Sequence, residues 1–107
     1  MPSAELESVQ MFREIIRSST PVIVLFYLGW SVPCQQIAPL YEKLSAMPEL
    51  DTLRFYRVEI DHNPDISAYC QIGNVPAFAI YQNGTKMSEV IGSHKSGIQG
   101  LLKKYLR

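Results

Sequence analysis

Seven consecutive apolar residues, Val22-Ile23-Val24-Leu25-Phe26-Tyr27-Leu28, constrain this chain more than any other stretch. A run of this kind suits a central strand covered on both faces, since a strand with one wet face would alternate. Trp30-Ser31-Val32-Pro33-Cys34 follows, and Ile37, Leu40, Tyr41, Leu44 and Met47 then recur at helical spacing. Ser31 is a good N-cap, its oxygen placed to accept from the amide of Cys34. Pro33 falls in the first turn, where no intrahelical donor is lost. A buried strand, a tight turn and a helix start put the turn at the C-terminal edge of a sheet, where sites of open α/β sheets usually lie.

The remaining elements follow from periodicity and punctuation. Val9, Phe12, Ile15 and Ile16 form an apolar helix face ending near Ser18-Ser19. Its start has two readings: a Ser8 cap with a short edge strand over residues 3–7, or a longer helix capped by Ser3. The helix after Cys34 carries Pro39 in its interior, where a kink is expected, and Pro48 closes the segment. Residues 53–60 read as a strand with imperfect alternation. Asn63 caps and Pro64 opens a short helix through Ile66, Tyr69 and Cys70. Residues 76–82 and 85–91 read as two strands joined by Asn83-Gly84, the strongest two-residue hairpin signal. Ser96 and Gln99 form a capping box for a last helix whose face is Ile98, Leu101, Leu102, Tyr105 and Leu106.

At 107 residues the chain fits one domain, residues 1–107. Ten basic and ten acidic side chains cancel, so no overall field draws nucleic acid or an anionic membrane. No apolar run approaches the ~20 residues of a membrane span, and no secretory signal opens the chain. Two cysteines are too few for a disulfide framework, which favours a reducing, cytoplasmic setting. Cys34, Cys70, His62 and His94 match no zinc-ligand spacing, so neither a metal nor a cofactor is expected.

Trp30-Ser31-Val32-Pro33-Cys34 resembles the thioredoxin motif Trp-Cys-Gly-Pro-Cys, with Ser31 in the place of the first cysteine. The likeness extends along the chain. Residues 22–28 resemble the family's central strand, and Asp61-His62-Asn63-Pro64 its Asp-x-Asn-Pro. Val75-Pro76 resembles its Ile-Pro, and Ile91-Gly92 its Val-Gly. The resemblance implies a thioredoxin fold: α/β, a central mixed β-sheet flanked by helices on both faces. It also favours Ser8 over Ser3 as the first cap. It further implies a cis peptide bond before Pro76 and a groove for an extended peptide, formed by Trp30, Val32, Pro33, Val75, Pro76, Ile91 and Gly92.

The chemistry is where the chain departs. Dithiol exchange needs an exposed thiolate at a helix N-terminus and a second cysteine that resolves the mixed disulfide. Ser31 stands in the first role; its hydroxyl does not ionise usefully at neutral pH and forms no disulfide. The family's buried aspartate in the central strand corresponds to Leu25. The catalytic candidates are therefore Cys34 and Ser31, the latter at a degenerate nucleophile position, and Cys70 is a candidate regulatory thiol. Three function classes stay open. One is a thioredoxin-like binding module with little or no reductase activity. Another is a weak or glutathione-linked monothiol protein acting through Cys34 in redox homeostasis, and the third a structural subunit. The expected partner is a protein or extended peptide segment. Glutathione is the alternative, and a disulfide-linked homodimer through Cys70 a further expectation.

Overall fold

Strand β2 (Val22–Tyr27) runs through the middle of a five-stranded sheet, and Val22, Ile23, Val24, Leu25 and Phe26 are all buried. In the computed structural model, which describes residues 3–107, Met1 and Pro2 of the expected domain lie outside the described residues. The other elements are β1 (Ala4–Glu5), α1 (Val9–Ile16), α2 (Val32–Ser45), β3 (Arg54–Glu59) and α3 (Pro64–Cys70). They are followed by β4 (Ala77–Gln82), β5 (Thr85–Ile91) and α4 (Lys95–Leu102). Two short 3₁₀ turns, Pro48–Leu50 and Lys103–Tyr105, complete the order. The sheet order is β1-β3-β2-β4-β5; β1 and β2 run parallel to β3, while β4 is antiparallel to both β2 and β5. This is the mixed sheet expected from the resemblance.

Alternate residues of β2 divide the interior into two cores. Ile23 and Leu25 pack with Ile37, Tyr41 and Leu44 of α2 and with Ile98 and Leu102 of α4. Val22, Val24 and Phe26 pack with Phe12 and Ile16 of α1 and Ile66 of α3. Period-two geometry turns one apolar run into the shared wall of both layers. Tyr41 is fully buried between Phe55 and Phe78, with ring centroids at 5.4 and 5.7 Å. Its hydroxyl donates to the Tyr56 carbonyl at 2.6 Å, and the Ile23 carbonyl lies 3.2 Å away. Burial, reinforced by the charge of Glu42, pushes the phenol well above its usual pKa.

The imperfect alternation of β3 has a physical cause. Phe55, Arg57 and Glu59 share a face with Leu25 and Tyr27, as the register Leu25–Arg57 and Tyr27–Glu59 requires. The two charged residues sit toward the end of that face, where they meet polar partners rather than the apolar floor. Arg57 Nε donates to Glu5 at 2.7 Å, and Glu59 accepts from the Gly29 amide. The Asn83-Gly84 turn has φ of 54° and 81°, the left-handed pair that a two-residue hairpin of this type demands and that glycine supplies without strain.

Ser8 caps α1, accepting from the Met11 amide at 3.1 Å, and the short edge strand precedes it. Three other expected end features are corrected. Asn63 holds the N-cap position of α3, but its buried amide donates to Glu59 O at 3.1 Å and Leu6 O at 3.5 Å. Its donors are engaged in joining β3 to the chain after β1, and its oxygen makes no cap bond. The Ser96–Gln99 capping box does not form, because α4 begins at Lys95 with His94 at the cap. A Cβ on Gly97 would lie 3.1 Å from Val90, so that glycine lets the first turn pack closely on β5. The last helix also ends earlier than its apolar pattern, at Leu102. Tyr105 packs from the following 3₁₀ turn and Leu106 is exposed. The helix α2 continues through Pro39 as one element.

Tyr41→Phe removes the hydroxyl that meets two sheet carbonyls while leaving ring packing in place. It should lower stability by about 1–2 kcal/mol in urea unfolding, with an unchanged m value.

Candidate functional site

The register of β2, β4 and β5 brings three loops to one edge of the sheet. Phe26 pairs with Ala77 and Ala77 with Ile91, so the end of β2, the start of β4 and the end of β5 lie side by side. The segments there are residues 28–34, Val75-Pro76, and Ile91-Gly92. Gly92 N–H donates to the Pro76 carbonyl at 2.8 Å, tying the second to the third. The Val75–Pro76 bond is cis.

The turn after β2 is fixed by a carboxylate lock. Gly29 N–H donates to Glu59 Oε2 at 2.6 Å, and the other oxygen of Glu59 accepts from the Asp61 amide at 3.3 Å. A Cβ at position 29 would lie 2.9 Å from Glu59 Oε2, so only glycine admits this approach without a shift. Trp30 Nε1 donates to Asp61 Oδ2 at 2.8 Å, and Gln35 Nε2 donates to the Gly29 carbonyl at 2.9 Å. Together these bonds hold an indole ring that is otherwise 70% exposed. Reading the sequence missed Glu59, Asp61, Gln35 and Gly29 as positioning residues. The available signal was a glycine wedged between the apolar run and Trp30, facing a carboxylate at the end of the neighbouring strand.

Ser31 stands at the N-cap of α2, as expected, but its hydroxyl makes no cap bond. Its backbone carbonyl instead accepts from Gln35 N–H at 3.0 Å. A cap hydroxyl bonds the second or third amide of a helix. Pro33 occupies the second position and has no N–H, which leaves Cys34 as the sole target, and the expected Ser31–Cys34 bond is absent. Val32 and Pro33 are exposed.

Cys34 lies one turn into α2 and is 3% exposed; the Leu28 amide donates to its Sγ at 3.5 Å. Cys70 ends α3, half-buried beside the α1–α3 core, and the Tyr81 hydroxyl donates to its Sγ at 3.8 Å. Burial raises the Cys70 thiol above its ordinary pKa, partly offset by the Tyr81 bond and Lys86.

The exposed apolar side chains at this edge are Trp30, Val32 at 59% and Ile91 at 54%; Val75 is half-buried and Pro76 buried. Among the described residues, no backbone group pairs with the N–H or C=O of Val75. The edge thus combines an unpaired peptide unit with apolar side chains on either side. Those are the parts with which a protein takes up an extended segment by main-chain pairing.

A five-stranded mixed sheet with a cis-proline loop facing a helix-start motif defines the thioredoxin class of fold. The thioredoxin family profile matches residues 3–104, and the chain belongs to that family. The thioredoxin of Malassezia sympodialis is 29% identical over 100 residues, covering 94% of this chain and 95% of that one. Thioredoxin 1 of Plasmodium falciparum is 32% identical over 94 residues, 88% of each chain. In structure, the Malassezia sympodialis thioredoxin aligns with a TM-score of 0.93 at 28% identity, over 98% of this chain and 94% of the other. The oxidised Plasmodium falciparum thioredoxin aligns at 0.87 with 30% identity, over 98% and 99%. No helix among the described residues is long and apolar enough to cross a membrane.

The two thiols should separate in alkylation by iodoacetamide without denaturant, read by mass spectrometry of the digested chain. Cys70 should label first, with a rate still rising above pH 9 because its raised pKa keeps the thiolate scarce below that. Cys34 should label more slowly than Cys70 until the fold is opened.

Proposed function

We propose that this chain is a thioredoxin-family module that binds extended peptide segments of partner proteins, with little or no dithiol–disulfide exchange of its own. The observation that carries the reading is the unpaired backbone of Val75 set among the exposed side chains of Trp30, Val32 and Ile91. A peptide strand pairs with Val75, apolar side chains rest on Trp30 and Ile91, and Pro33, Pro76 and Gly92 shape the walls. The carboxylate lock of Glu59 and Asp61 holds Trp30 in place before the peptide arrives. Less freedom is then lost on binding.

The exchange half of the reading rests on residue chemistry. Ser31 occupies the position of the attacking cysteine, and an unactivated hydroxyl does not open a disulfide. Cys34 remains as a thiol, yet it is buried and its sulfur already accepts the Leu28 amide. That placement argues against rapid monothiol exchange with glutathione. Leu25 supplies no proton acceptor behind it. A homodimer through Cys70 is a secondary proposal, since its half-buried sulfur must emerge from beside Tyr81 before it meets a second copy. Two unpaired thiols fit a reducing compartment such as the cytoplasm.

Backbone-amide titration with a cysteine-free ten-residue peptide of alternating Leu and Ser tests the reading. Shifts should cluster at residues 30–33, 74–76 and 91–93. Ile91→Glu changes an exposed side chain, so the fold should survive while binding weakens several-fold. Shifts centred elsewhere, or binding indifferent to Ile91→Glu, would move the interaction off this groove.

A further inference from the structure

Where α4 ends, an open pocket of about 360 Å³ lies against β5, lined by Ser88, Gly100, Leu101, Lys103 and Lys104. It shares no residue with the peptide groove. Two glycines on one face of α4 shape it. A Cβ on Gly97 would lie 3.1 Å from the Val90 side chain, whereas one on Gly100, three residues on, would meet nothing within 4 Å. The helix touches β5 at Val90, and the side chain missing at Gly100 leaves the adjoining space open.

Ser88 belongs to the face of β5 that α4 covers: its register partner Ile80 lies in the core shared by α2 and α4, and Val90 packs there too. The Ser88 Oγ is buried and bonds no group among the described residues. A buried hydroxyl without a partner gives up its bond to water and gains none in return. Packing alone gives no reason for a serine at this position.

The charges beside it have one sign. Lys103 and Lys104 are exposed, and neither pairs with a carboxylate among the described residues. No acidic residue lines the pocket. Glu89, next to Ser88, is in register with Ala79 of the opposite core and pairs with Lys86 at 3.4 Å. The carbonyl end of α4 carries about half a negative charge, against two full positive ones.

We propose that this pocket binds a small organic carboxylate with a compact apolar body. The hydrocarbon rests on Leu101 and fills the space beside Gly100, while the carboxylate meets Lys103 and Lys104. The Ser88 side chain turns to another staggered position and donates its hydroxyl to the same carboxylate. Because both ammonium groups are exposed, their charge selects among ligands more than it tightens them.

The test titrates the full chain, at neutral pH, with sodium phenylacetate, 2-phenylethanol and phenethylamine hydrochloride, following backbone-amide and methyl resonances. Phenylacetate should give saturable shifts at Ser88, Gly100 and Leu101. The alcohol should bind about fivefold more weakly, the scale of two exposed ion pairs, and the amine more weakly still. Changing Lys103→Gln and Lys104→Gln together should erase the preference of acid over alcohol. Ser88→Ala should weaken phenylacetate several-fold without loss of stability, since the hydroxyl it removes has no partner in the free chain. Gly100→Leu suits a helix better than glycine and fills the pocket, so it should abolish binding in a folded chain. Five results would each overturn the proposal. These are phenethylamine binding as tightly as phenylacetate, affinity for phenylacetate unchanged by Ser88→Ala, shifts that survive Gly100→Leu, shifts centred on Trp30 or Ile91, and phenylacetate that fails to saturate at tens of millimolar.

Discussion

Everything in this molecule depends on β2 being dry on both faces. Its five buried residues reach both cores in strict alternation, Ile23 and Leu25 to one, Val22, Val24 and Phe26 to the other, and the neighbouring β4 repeats the pattern with Phe78 and Ile80 against Ala77, Ala79 and Tyr81. Each large side chain fully withdrawn from water contributes about 1.5–3 kcal/mol, so one strand anchors helices on both sides of the sheet. The same burial dictates where function can sit. A strand enclosed by β3 and β4 along its edges and by helices on its faces presents polar groups only where it ends. The loop after Tyr27, the loop before Ala77 and the end of β5 are brought together by register.

Around that end, the placement of charge accounts for the site's character. Leu25 sits in register with Arg57, so the central strand offers the guanidinium no carboxylate. Arg57 is compensated from outside instead, by Glu5 of the edge strand and by Glu42 of α2. A lone carboxylate at position 25 would be costly to ionise in apolar surroundings. Ser31 and Leu25 fill the two positions at which the resemblance expects a cysteine and an aspartate, and the proposed loss of exchange chemistry rests on both. The groups that present a peptide-sized surface, Trp30, Val75, Ile91 and their tethers, remain.

The fold was legible to a large extent because its signals are local or periodic: the all-apolar run, the Asn83-Gly84 turn, and the helix faces of residues 9–16 and 37–47. The motif resemblance then resolved the choice that periodicity left open, between Ser8 and Ser3 as the first cap. What the sequence hid was mostly the identity of hydrogen-bond partners. Ser31, Asn63 and Ser96 all looked like caps from their residue types, yet none makes a side-chain cap bond. In two of the three a tertiary feature prevails: Leu6 and Glu59 claim the Asn63 donors, and Gly97 allows close packing on Val90. The Glu59–Gly29 and Asp61–Trp30 bonds span about thirty residues of chain. No window-based pattern carries such pairs, although the charged residues breaking the alternation of β3 marked where they would be.

The central claim is that the groove persists without exchange chemistry. Reduction of insulin disulfides in the presence of excess dithiothreitol, run on this chain beside its Ser31→Cys variant, tests it most directly. The account predicts no multiple-turnover rate above the uncatalysed reaction for the native chain and a measurable gain for Ser31→Cys. Native turnover well above background would contradict it, and all the more so if it survived Cys34→Ala.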